Sequence, residues 1–247
     1  MSYSQKNILI IGGSSGIGLA TAKKFVAENA TVILVGKTEE KLKDAVHELG
    51  FKSSYFLADI SKVASITALY EKLKAQATTI DVLIVSAGVG KFGSINEVNE
   101  EDYDLVMDTN TKGTFFAVKI LEKIINSGGT IILLSSFLTN KYIPLTAVLS
   151  ASKVAVETFT KIFARELSPK RIRVNAISPG SIKTNFMTAA NLSDAQQKKL
   201  LEYMPQIPSG KRGEVNQIAH AILFLSSDNA NYINGAIISV DGGLSIA

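Results

Sequence analysis

Short apolar runs rich in β-branched residues alternate with longer segments of helical periodicity along the 247-residue chain. Continuous apolar runs are typical of strands that are buried on both faces of a parallel sheet. The predicted strands are Ile8–Ile11, Thr31–Val35, Ser54–Leu57, Val82–Val85, Thr130–Leu134, Ile172–Ile177 and Ala236–Val240. The predicted helices are Ile17–Glu28, Glu39–Leu49, Val63–Ala77, Glu101–Ile125, Val148–Leu167 and Val215–Leu225. This alternation predicts a doubly wound, Rossmann-type α/β fold, and the lack of a linker or repeat predicts one domain over residues 1–247.

One stretch breaks the alternation. Residues 181–213 are too many for a plain connection between a strand and a helix, and they contain a helical pattern of their own at Ser193–Leu201. Long insertions with internal structure often form lids or binding loops. We therefore expect residues 181–213 to form a substrate lid, with a surface excursion of no such role as the alternative.

Composition narrows the class of protein. Hydrophobic residues make up 46% of the chain and charged residues 19%, as in ordinary globular domains. No apolar run approaches the roughly 20 residues of a membrane-spanning helix, and a cytoplasmic location fits best. Because there is no cysteine and there are only two histidines, no metal site is expected. The net charge of +4 comes from scattered basic residues and favours anionic small ligands over nucleic acid.

A glycine-rich loop joins the first predicted strand to the first predicted helix. Its glycines let the backbone turn sharply and approach a pyrophosphate, and the helix N-terminus offers free N–H groups. The spacing is Gly-x₃-Gly-x-Gly and differs from the common Gly-x-Gly-x-x-Gly. We predict a dinucleotide site here, and a purely structural turn is the alternative. The residues concerned are Gly12, Ser14, Ser15, Gly16, Ile17 and Gly18.

The residues after the second strand predict which nicotinamide cofactor binds. An acidic residue there would hold the ribose 2′-hydroxyl of NAD. Gly36 is followed by Lys37 instead, so that no carboxylate repels a 2′-phosphate and a cation can meet it. We predict NADP(H) over NAD, and a solvated loop lysine is the alternative for Lys37. Asp59, after the third strand, could contact the adenine or cap the helix that starts near Ser61, and the two roles are compatible.

Further motifs stand at regular places along the chain. They are the glycine loop after Ile11, Asp59-Ile60, Ser86-Ala87-Gly88, Asn110, Ser135-Ser136, Arg173–Gly180 with Thr184, and Asp241-Gly242-Gly243. Together they resemble the short-chain dehydrogenase/reductase family over essentially the whole chain. Ile11, Val85 and Ser86 depart from it, since they replace a threonine and two asparagines. The resemblance implies a seven-stranded parallel sheet flanked by helices, and a homotetramer or homodimer.

The resemblance also implies a catalytic set. Lys153 would hold the nicotinamide ribose, Ser136 would hydrogen-bond the substrate carbonyl oxygen, and Asn110 would support a water relay. Ser135 is the neighbour that could take the place of Ser136. Besides the glycine loop and Lys153, the cofactor would contact Lys37, Asp59, Ile60, Ala87, Gly88, Pro179, Gly180 and Thr184.

Leu149 stands where the resemblance places the catalytic tyrosine, thirteen residues after Ser136 and four before Lys153. In the family, that tyrosine gives a proton in reduction and takes one in oxidation, with its pKa lowered by the lysine ammonium. Leucine can do neither, and it desolvates the site, which makes an alkoxide costlier to form. Since a positioned general acid contributes about 10²–10⁴ in rate, ordinary ketone reduction should be severely impaired.

Four hypotheses follow. The chain could be an NADP(H)-dependent reductase of a small organic carbonyl, alcohol, imine or enone, with Tyr142 in the loop after Ser136 as a substitute acid. A partly exposed loop aromatic is the alternative for Tyr142. Second, the substrate could need no proton at this point, as with an iminium carbon or a conjugated alkene. Third, the chain could bind NADP(H) without turnover, as a regulator or partner. Fourth, Leu149 could be an introduced change that inactivates a carbonyl reductase.

Apolar residues predict a substrate pocket and an assembly. Those of the lid could wall a pocket for a small-molecule substrate or pack the lid onto the domain: Phe186, Met187, Leu192, Leu200, Leu201, Tyr203, Met204 and Ile207. The two long helices, Glu101–Ile125 and Val148–Leu167, carry apolar residues on more than one face. This predicts a homo-oligomer, with burial inside the monomer as the alternative. Neither nucleic acid nor membrane is an expected partner.

Overall fold

Seven parallel strands form the sheet of the computed structural model, which describes residues 3–190, 192, 194–203 and 206–247. The strand order is β3-β2-β1-β4-β5-β6-β7. The strands are β1 (Asn7–Ile11), β2 (Thr31–Gly36), β3 (Ser53–Leu57), β4 (Ile80–Val85), β5 (Ile125–Leu134), β6 (Arg173–Pro179) and β7 (Ile237–Val240). The chain runs outward from β1 to β3 and then crosses back to β4. The doubly wound seven-stranded fold expected from the sequence is confirmed.

Helices cover both faces of the sheet. They are α1 (Gly16–Ala27), α2 (Glu39–Leu49), α3 (Val63–Ala75), α4 (Glu100–Val106), α5 (Thr114–Leu121), α6 (Ala147–Glu166), α7 (Phe186–Ala189), α8 (Asp194–Tyr203) and α9 (Val215–Ser226). Strand side chains alternate between two cores, as the pleat of a strand requires. Leu9 and Ile11 of β1 enter the core beneath α3, α5 and α6, whereas Ile8 and Ile10 enter the core beneath α1, α2 and α9.

One predicted helix end and one predicted strand start are wrong. The predicted helix Glu101–Ile125 is interrupted by a π-helical segment, Met107–Gly113, and closes with a 3₁₀ turn at Glu122–Ile124. Ile125 instead begins β5, because it pairs with Ile80 of β4, and β5 therefore starts five residues before its predicted start at Thr130. The predicted helix Val63–Ala77 ends at Ala75, since Ala77 adopts a left-handed φ of 50°. The other predicted boundaries lie within two residues of the observed ones.

Part of the apolar surplus on the long helices packs within the monomer, although Phe115, Phe116 and Phe159 are only partly buried. Phe115, Phe116, Phe159 and Phe163 form an aromatic cluster with ring centroids 5.4–5.6 Å apart. Val154 and Ile162 of α6 are still 48% exposed. A homo-oligomer, tetramer or dimer, therefore remains a prediction. Within the described ranges, no helix has the length and apolarity needed to cross a bilayer.

The strand order positions the site. In a doubly wound sheet, the crevice for ligands lies at the carboxyl ends of the strands, where the order reverses. Here the reversal lies between β1 and β4, which are neighbours in the sheet. The glycine loop after β1 and the Ala87-Gly88 segment after β4 consequently meet at that edge.

Candidate functional site

The glycine loop closes over the end of β1 through backbone contacts that leave no room for side chains. A β-carbon on Gly12 would lie 2.5 Å from the amide nitrogen of Ala87, and one on Gly18 would lie 2.1 Å from the carbonyl oxygen of Gly12. Gly16 also has a left-handed φ of 53°, which an L side chain rarely adopts. The glycines thus let the loop pack directly against the residues that follow β4 and let the first turn of α1 pack against the loop.

The N-terminus of α1 opens toward this loop. Ser15 is the exposed N-cap residue, and its side chain makes no capping hydrogen bond. Because the first N–H groups of a helix have no intrahelical partner, those of Gly16, Ile17 and Gly18 carry the positive end of the helix dipole. Thr184 lies over this turn, with its γ-methyl 3.6 Å from the β-carbon position of Gly16. This arrangement is suited to an anion such as a pyrophosphate.

A hydroxyl and a cation stand at the end of β2. The Ser14 hydroxyl lies 3.6 Å from the β-carbon position of Gly36, the residue before Lys37. Lys37 is exposed and forms no ion pair with any residue in the described ranges. The carboxylate of Glu39, two residues on, is engaged by Lys43 at 3.1 Å and by the Tyr55 hydroxyl at 3.2 Å. Ser14 and Lys37 could therefore both serve a 2′-phosphate.

Asp59 closes a short turn that precedes α3. Its Oδ1 accepts hydrogen bonds from the Ser61 amide at 3.0 Å and the Ser61 hydroxyl at 2.8 Å. Because α3 begins at Val63 and its N-cap residue is Lys62, Asp59 forms a turn ahead of the helix rather than a helix cap, and an adenine contact stays a prediction. Ile60 is buried, and its carbonyl oxygen lies 2.7 Å from the β-carbon position of Gly113 in the π-helical segment.

Asn110 lies in the π-helical segment, a local distortion that is frequent at functional sites. Its Oδ1 accepts from the Val89 amide at 2.9 Å, and its Nδ2 donates to the Val89 carbonyl at 2.9 Å and the Ser152 hydroxyl at 3.0 Å. Asn110 thereby ties the segment after β4 to α6. Both amide hydrogens are used in these bonds, and its part in a water relay remains a prediction.

Lys153 is a buried cation at the centre of this region. Its residue is 8% exposed, and Nζ donates to the Leu134 carbonyl at 2.8 Å. The β-carbon position of Gly88 lies 3.4 Å from Nζ and 3.3 Å from the Asn110 Oδ1. The structure describes no ion pair of Lys153. Burial lowers the pKa of Lys153 from 10.5 to about 8, so the side chain is mostly charged at neutral pH.

Replacing Lys153 with methionine should stabilise the ligand-free protein at neutral pH. A pKa shift from 10.5 to about 8 corresponds to about 3 kcal/mol, and loss of the donor to Leu134 reduces the gain to about 1–2 kcal/mol. Since the pKa of Lys153 is lower in the folded state, wild-type stability rises with pH between about 8 and 10.5. The advantage of Lys153→Met in urea unfolding should therefore shrink across that window. Lys161→Met, at an exposed position of α6, should show no such trend.

Ser136 has an available hydroxyl, whereas Ser135 does not. Ser136 is half-buried, and its Oγ accepts a weak hydrogen bond from the Leu138 amide at 3.3 Å. Ser135 is buried and donates to Glu157 Oε1 at 2.6 Å, an oxygen that also contacts the Thr139 hydroxyl at 2.7 Å. Of the two serines considered for the substrate oxygen, Ser136 is the one that this arrangement leaves free to donate.

Leu149 is 3% exposed and lies one helical turn before Lys153 on α6. It belongs to an apolar group that we term the Leu149 cluster. The buried members are Phe137, Leu138, Ile143, Leu145, Leu149, Leu200 and Leu244, and partly buried Phe92, Met187, Leu192 and Ile207 pack against them. The cluster joins α6 to the lid helix α8 and to the last residues of the chain. No member has an ionisable side chain.

Tyr142 does not enter the cluster. Its side chain is 94% exposed, whereas its neighbour Ile143 and Leu145 are each 8% exposed and pack inward. The loop directs its two aliphatic residues toward Leu149 and its tyrosine toward solvent. The structure gives no support to Tyr142 as the substitute acid, and the alternative of a loop aromatic agrees with it.

The predicted lid contacts the site with only part of its apolar set. Leu200, Met187, Leu192 and Ile207 belong to or pack on the Leu149 cluster, but Leu201 is 69% exposed. Met204 and the side chain of Tyr203 lie outside the described residues. The Phe186 ring lies 2.7 Å from the β-carbon position of Gly90.

Two residues, Phe92 and Leu244, reach the site from distant segments and were not predicted from the sequence. Phe92 lies in the loop after β4, and Leu244 lies after the Asp241-Gly242-Gly243 motif. The signal available for Leu244 was its place directly after that motif. Gly90, in the same loop as Phe92, could have been noticed as well, because a glycine often marks a place where another group approaches the backbone closely.

The segment after β6 packs on the C-terminal motif. A β-carbon on Gly180 would lie 2.6 Å from the Asp241 Cα, which explains the glycine after Pro179. The Ser178 hydroxyl is buried and has no hydrogen-bond partner among the described residues. A buried polar atom of this kind is expected to meet a water or a ligand. Among the described residues, no group of three or more His, Asp or Glu could hold a metal ion, and His47 and His220 lie exposed on α2 and α9.

Comparisons with known proteins cover nearly the whole chain. A family model described as enoyl-(acyl carrier protein) reductase matches residues 12–245. A 3alpha-hydroxysteroid dehydrogenase of Mediterraneibacter gnavus is 36% identical over 251 residues, 98% of each chain. A short-chain dehydrogenase/reductase of Pestalotiopsis microspora is 33% identical over 250 residues, 96% of this chain and 94% of that one. The crystal structure of levodione reductase superimposes with a TM-score of 0.89 at 30% identity, covering 99% of both chains.

Proposed function

Since the chain belongs to the short-chain dehydrogenase/reductase family, we propose that it is an NADP(H)-dependent oxidoreductase that works without the family's tyrosine acid. Its preferred acceptors are conjugated alkenes or imines of small organic molecules rather than simple ketones. The family membership and the oxidoreductase relatives support a nicotinamide cofactor. The choice of NADP(H) and of the acceptor rests on residues of this chain.

The residues of the crevice fit a phosphate-bearing dinucleotide. The N-terminus of α1 and Thr184 would hold the pyrophosphate, while Ser14 and Lys37 would hold the 2′-phosphate. Lys153 and the Ala87-Gly88 segment would hold the nicotinamide ribose. When bound, the reduced cofactor supplies a hydride. Ser136 would donate a hydrogen bond to the substrate oxygen.

The observation that carries the proposal is the environment of Leu149. The residue is buried in a cluster of apolar side chains, and Tyr142 faces solvent. A ketone that accepts hydride becomes an alkoxide, which is costly in apolar surroundings unless an acid protonates it. A conjugated alkene becomes an enolate whose charge is delocalised and whose carbon takes its proton from water. An iminium ion becomes a neutral amine and needs no proton at that step.

A matched pair of substrates tests this proposal. We expect the kcat/KM for cyclohexenone, or for the cyclic imine 1-pyrroline, to exceed that for cyclohexanone by at least about tenfold, because only the ketone needs an acid at residue 149. Loss of NADPH absorbance gives the rates, and gas chromatography identifies the product. Cyclohexenone should yield cyclohexanone.

Two outcomes would oppose the preference for these acceptors: equal rates with cyclohexanone, or cyclohexenol as the product of cyclohexenone. NADPH binding without turnover on all three compounds would instead favour the non-catalytic binding protein. That second candidate has one observation in its favour, because Leu149 is already packed in an apolar cluster that includes Leu200 of the predicted lid.

A further inference from the structure

We propose that the Lys153 ammonium makes the substrate site favour negative charge and oppose positive charge. The preferred acceptor is then an α,β-unsaturated carbonyl compound, which becomes an enolate anion on hydride addition, rather than a cationic iminium ion. The inference rests on the proposed function, which left these two acceptor classes open. Its basis is a buried lysine that has no ion pair among the described residues and lies one helical turn after the apolar side chain of Leu149. The positive charge of Lys153 then decides which of the two acceptor classes is preferred.

The groups that face Lys153 do not neutralise it. The end of β5 presents the Leu134 carbonyl, and the segment after β4 presents Gly88. The π-helical segment presents the Asn110 amide, while its Asp108 and Lys112 pair with each other at 2.7 Å and are 44% exposed. On α6 the nearest carboxylate is Glu157, one turn further on, which is engaged by the Ser135 and Thr139 hydroxyls.

An unpaired buried ammonium strongly favours a ligand of opposite charge. An isolated buried charge is costly, and an anion placed beside it removes much of that cost. In surroundings of low polarity the same interaction is stronger than in water. A second cation in this space would add to the cost. Desolvation is the cause of the lowered pKa of Lys153, which agrees with the lack of a neighbouring countercharge.

Position as well as charge links Lys153 to the substrate. Lys153 lies one helical turn after Leu149, so the two side chains share a face of α6. Its Nζ lies against the Leu134 carbonyl and near the β-carbon position of Gly88. An ammonium group has three donors, and only the bond to Leu134 is described for Nζ. The remaining donors are available to a cofactor hydroxyl or a substrate oxygen.

The reaction then balances without a protein acid. Hydride adds to the β-carbon of the unsaturated carbonyl compound, and the electron pair of the C=C bond moves to form the enolate. The charge on the enolate oxygen is stabilised by the Lys153 ammonium and the Ser136 hydroxyl. The α-carbon takes a proton from water. One hydride and one solvent proton have then been added across the double bond.

Binding of 4-nitrophenolate to the cofactor-free protein tests this inference. The ion resembles an enolate in charge and is seen directly by its absorbance, and nitrobenzene is the neutral comparison. We expect 4-nitrophenolate to bind at least about tenfold more tightly than nitrobenzene near neutral pH, as for a hydrogen bond to a charged group. Lys153→Met should abolish the preference, and Lys161→Met should retain it. Equal binding of the two probes, or a preference that survives in Lys153→Met, would overturn the inference.

A second measurement needs no variant. The preference for 4-nitrophenolate should fall as the pH rises above about 8, where Lys153 loses its proton while the probe stays ionised. A preference that is constant across this range would also overturn the inference. These measurements use no cofactor and no turnover. Failure of NADPH binding would therefore oppose the proposed function alone, and loss of anion selectivity in a protein that binds NADPH would oppose this inference alone.

Discussion

Replacing Leu149 with tyrosine should raise the kcat/KM for simple ketones by about 10²- to 10⁴-fold, the usual contribution of a positioned general acid. The new hydroxyl would lie one turn before Lys153, whose ammonium stabilises a phenolate and lowers the pKa of the tyrosine. The measurement is NADPH-dependent reduction of a panel of cyclic and aryl ketones by wild type and variant. The variant should also show a dependence of ketone reduction on the ionisation of the new tyrosine.

Leu149→Phe is the matched control, because it adds the ring to the same cluster without the hydroxyl. It should bind NADPH and leave ketone reduction low. Adding Ser136→Ala to the tyrosine variant should remove most of the gain, since the substrate oxygen would lose its second donor. No gain in Leu149→Tyr despite normal NADPH binding would contradict an otherwise intact pocket, and an equal gain in Leu149→Phe would exclude the acid as its cause.

Reversing the charge at Lys37 should weaken NADPH binding by about 10- to 100-fold, which corresponds to the loss of a hydrogen bond to a charged group. Lys37 follows the last residue of β2 and forms no ion pair within the described ranges, so its charge is available to a ligand. In Lys37→Glu a carboxylate would repel the 2′-phosphate, while NADH, which lacks it, should bind at least as well as before. Calorimetric titration of both cofactors gives the two affinities.

Lys161→Glu provides the comparison for Lys37→Glu. It makes the same change in net charge at an exposed position of α6 and should leave both affinities unchanged. A parallel loss of NADPH and NADH binding in Lys37→Glu would indicate damage to the whole crevice. Unchanged NADPH binding would show that Lys37 is a solvated loop lysine and that it does not hold a 2′-phosphate together with Ser14.

The fold could be predicted because the hydrophobic pattern of each strand and helix lies within one short segment of the chain. Buried parallel strands are apolar throughout, and six of the seven predicted strands begin within two residues of their observed starts. β5 was the exception, since its first half, Ile125–Gly129, is rich in Asn, Ser and Gly and is held as a strand by pairing with β4. The predicted helix end at Ile125 was wrong for the same reason. Pairing with a distant strand overrode a local helical pattern.

The site could be predicted where it depends on one segment. The glycine loop, Lys37 and the step from Leu149 to Lys153 each lie within a few residues of one strand or helix. The Leu149 cluster could not be predicted in full, because Phe92 and Leu244 reach it through the tertiary fold. A sequence pattern also does not predict which way a loop side chain points, as Tyr142 illustrates. Its neighbour Ile143 packs inward and leaves the tyrosine in solvent.

Leu149 stands where the family has its catalytic tyrosine, one helical turn before the buried Lys153. The central claim is that a phosphate-bearing dinucleotide binds beside this lysine, at the end of β1. Calorimetric titration of the wild-type protein with NADPH and with NADH under one set of conditions tests it most directly. We expect saturable binding of NADPH, at least about tenfold tighter than that of NADH. The absence of binding of either cofactor at high concentration would contradict the claim.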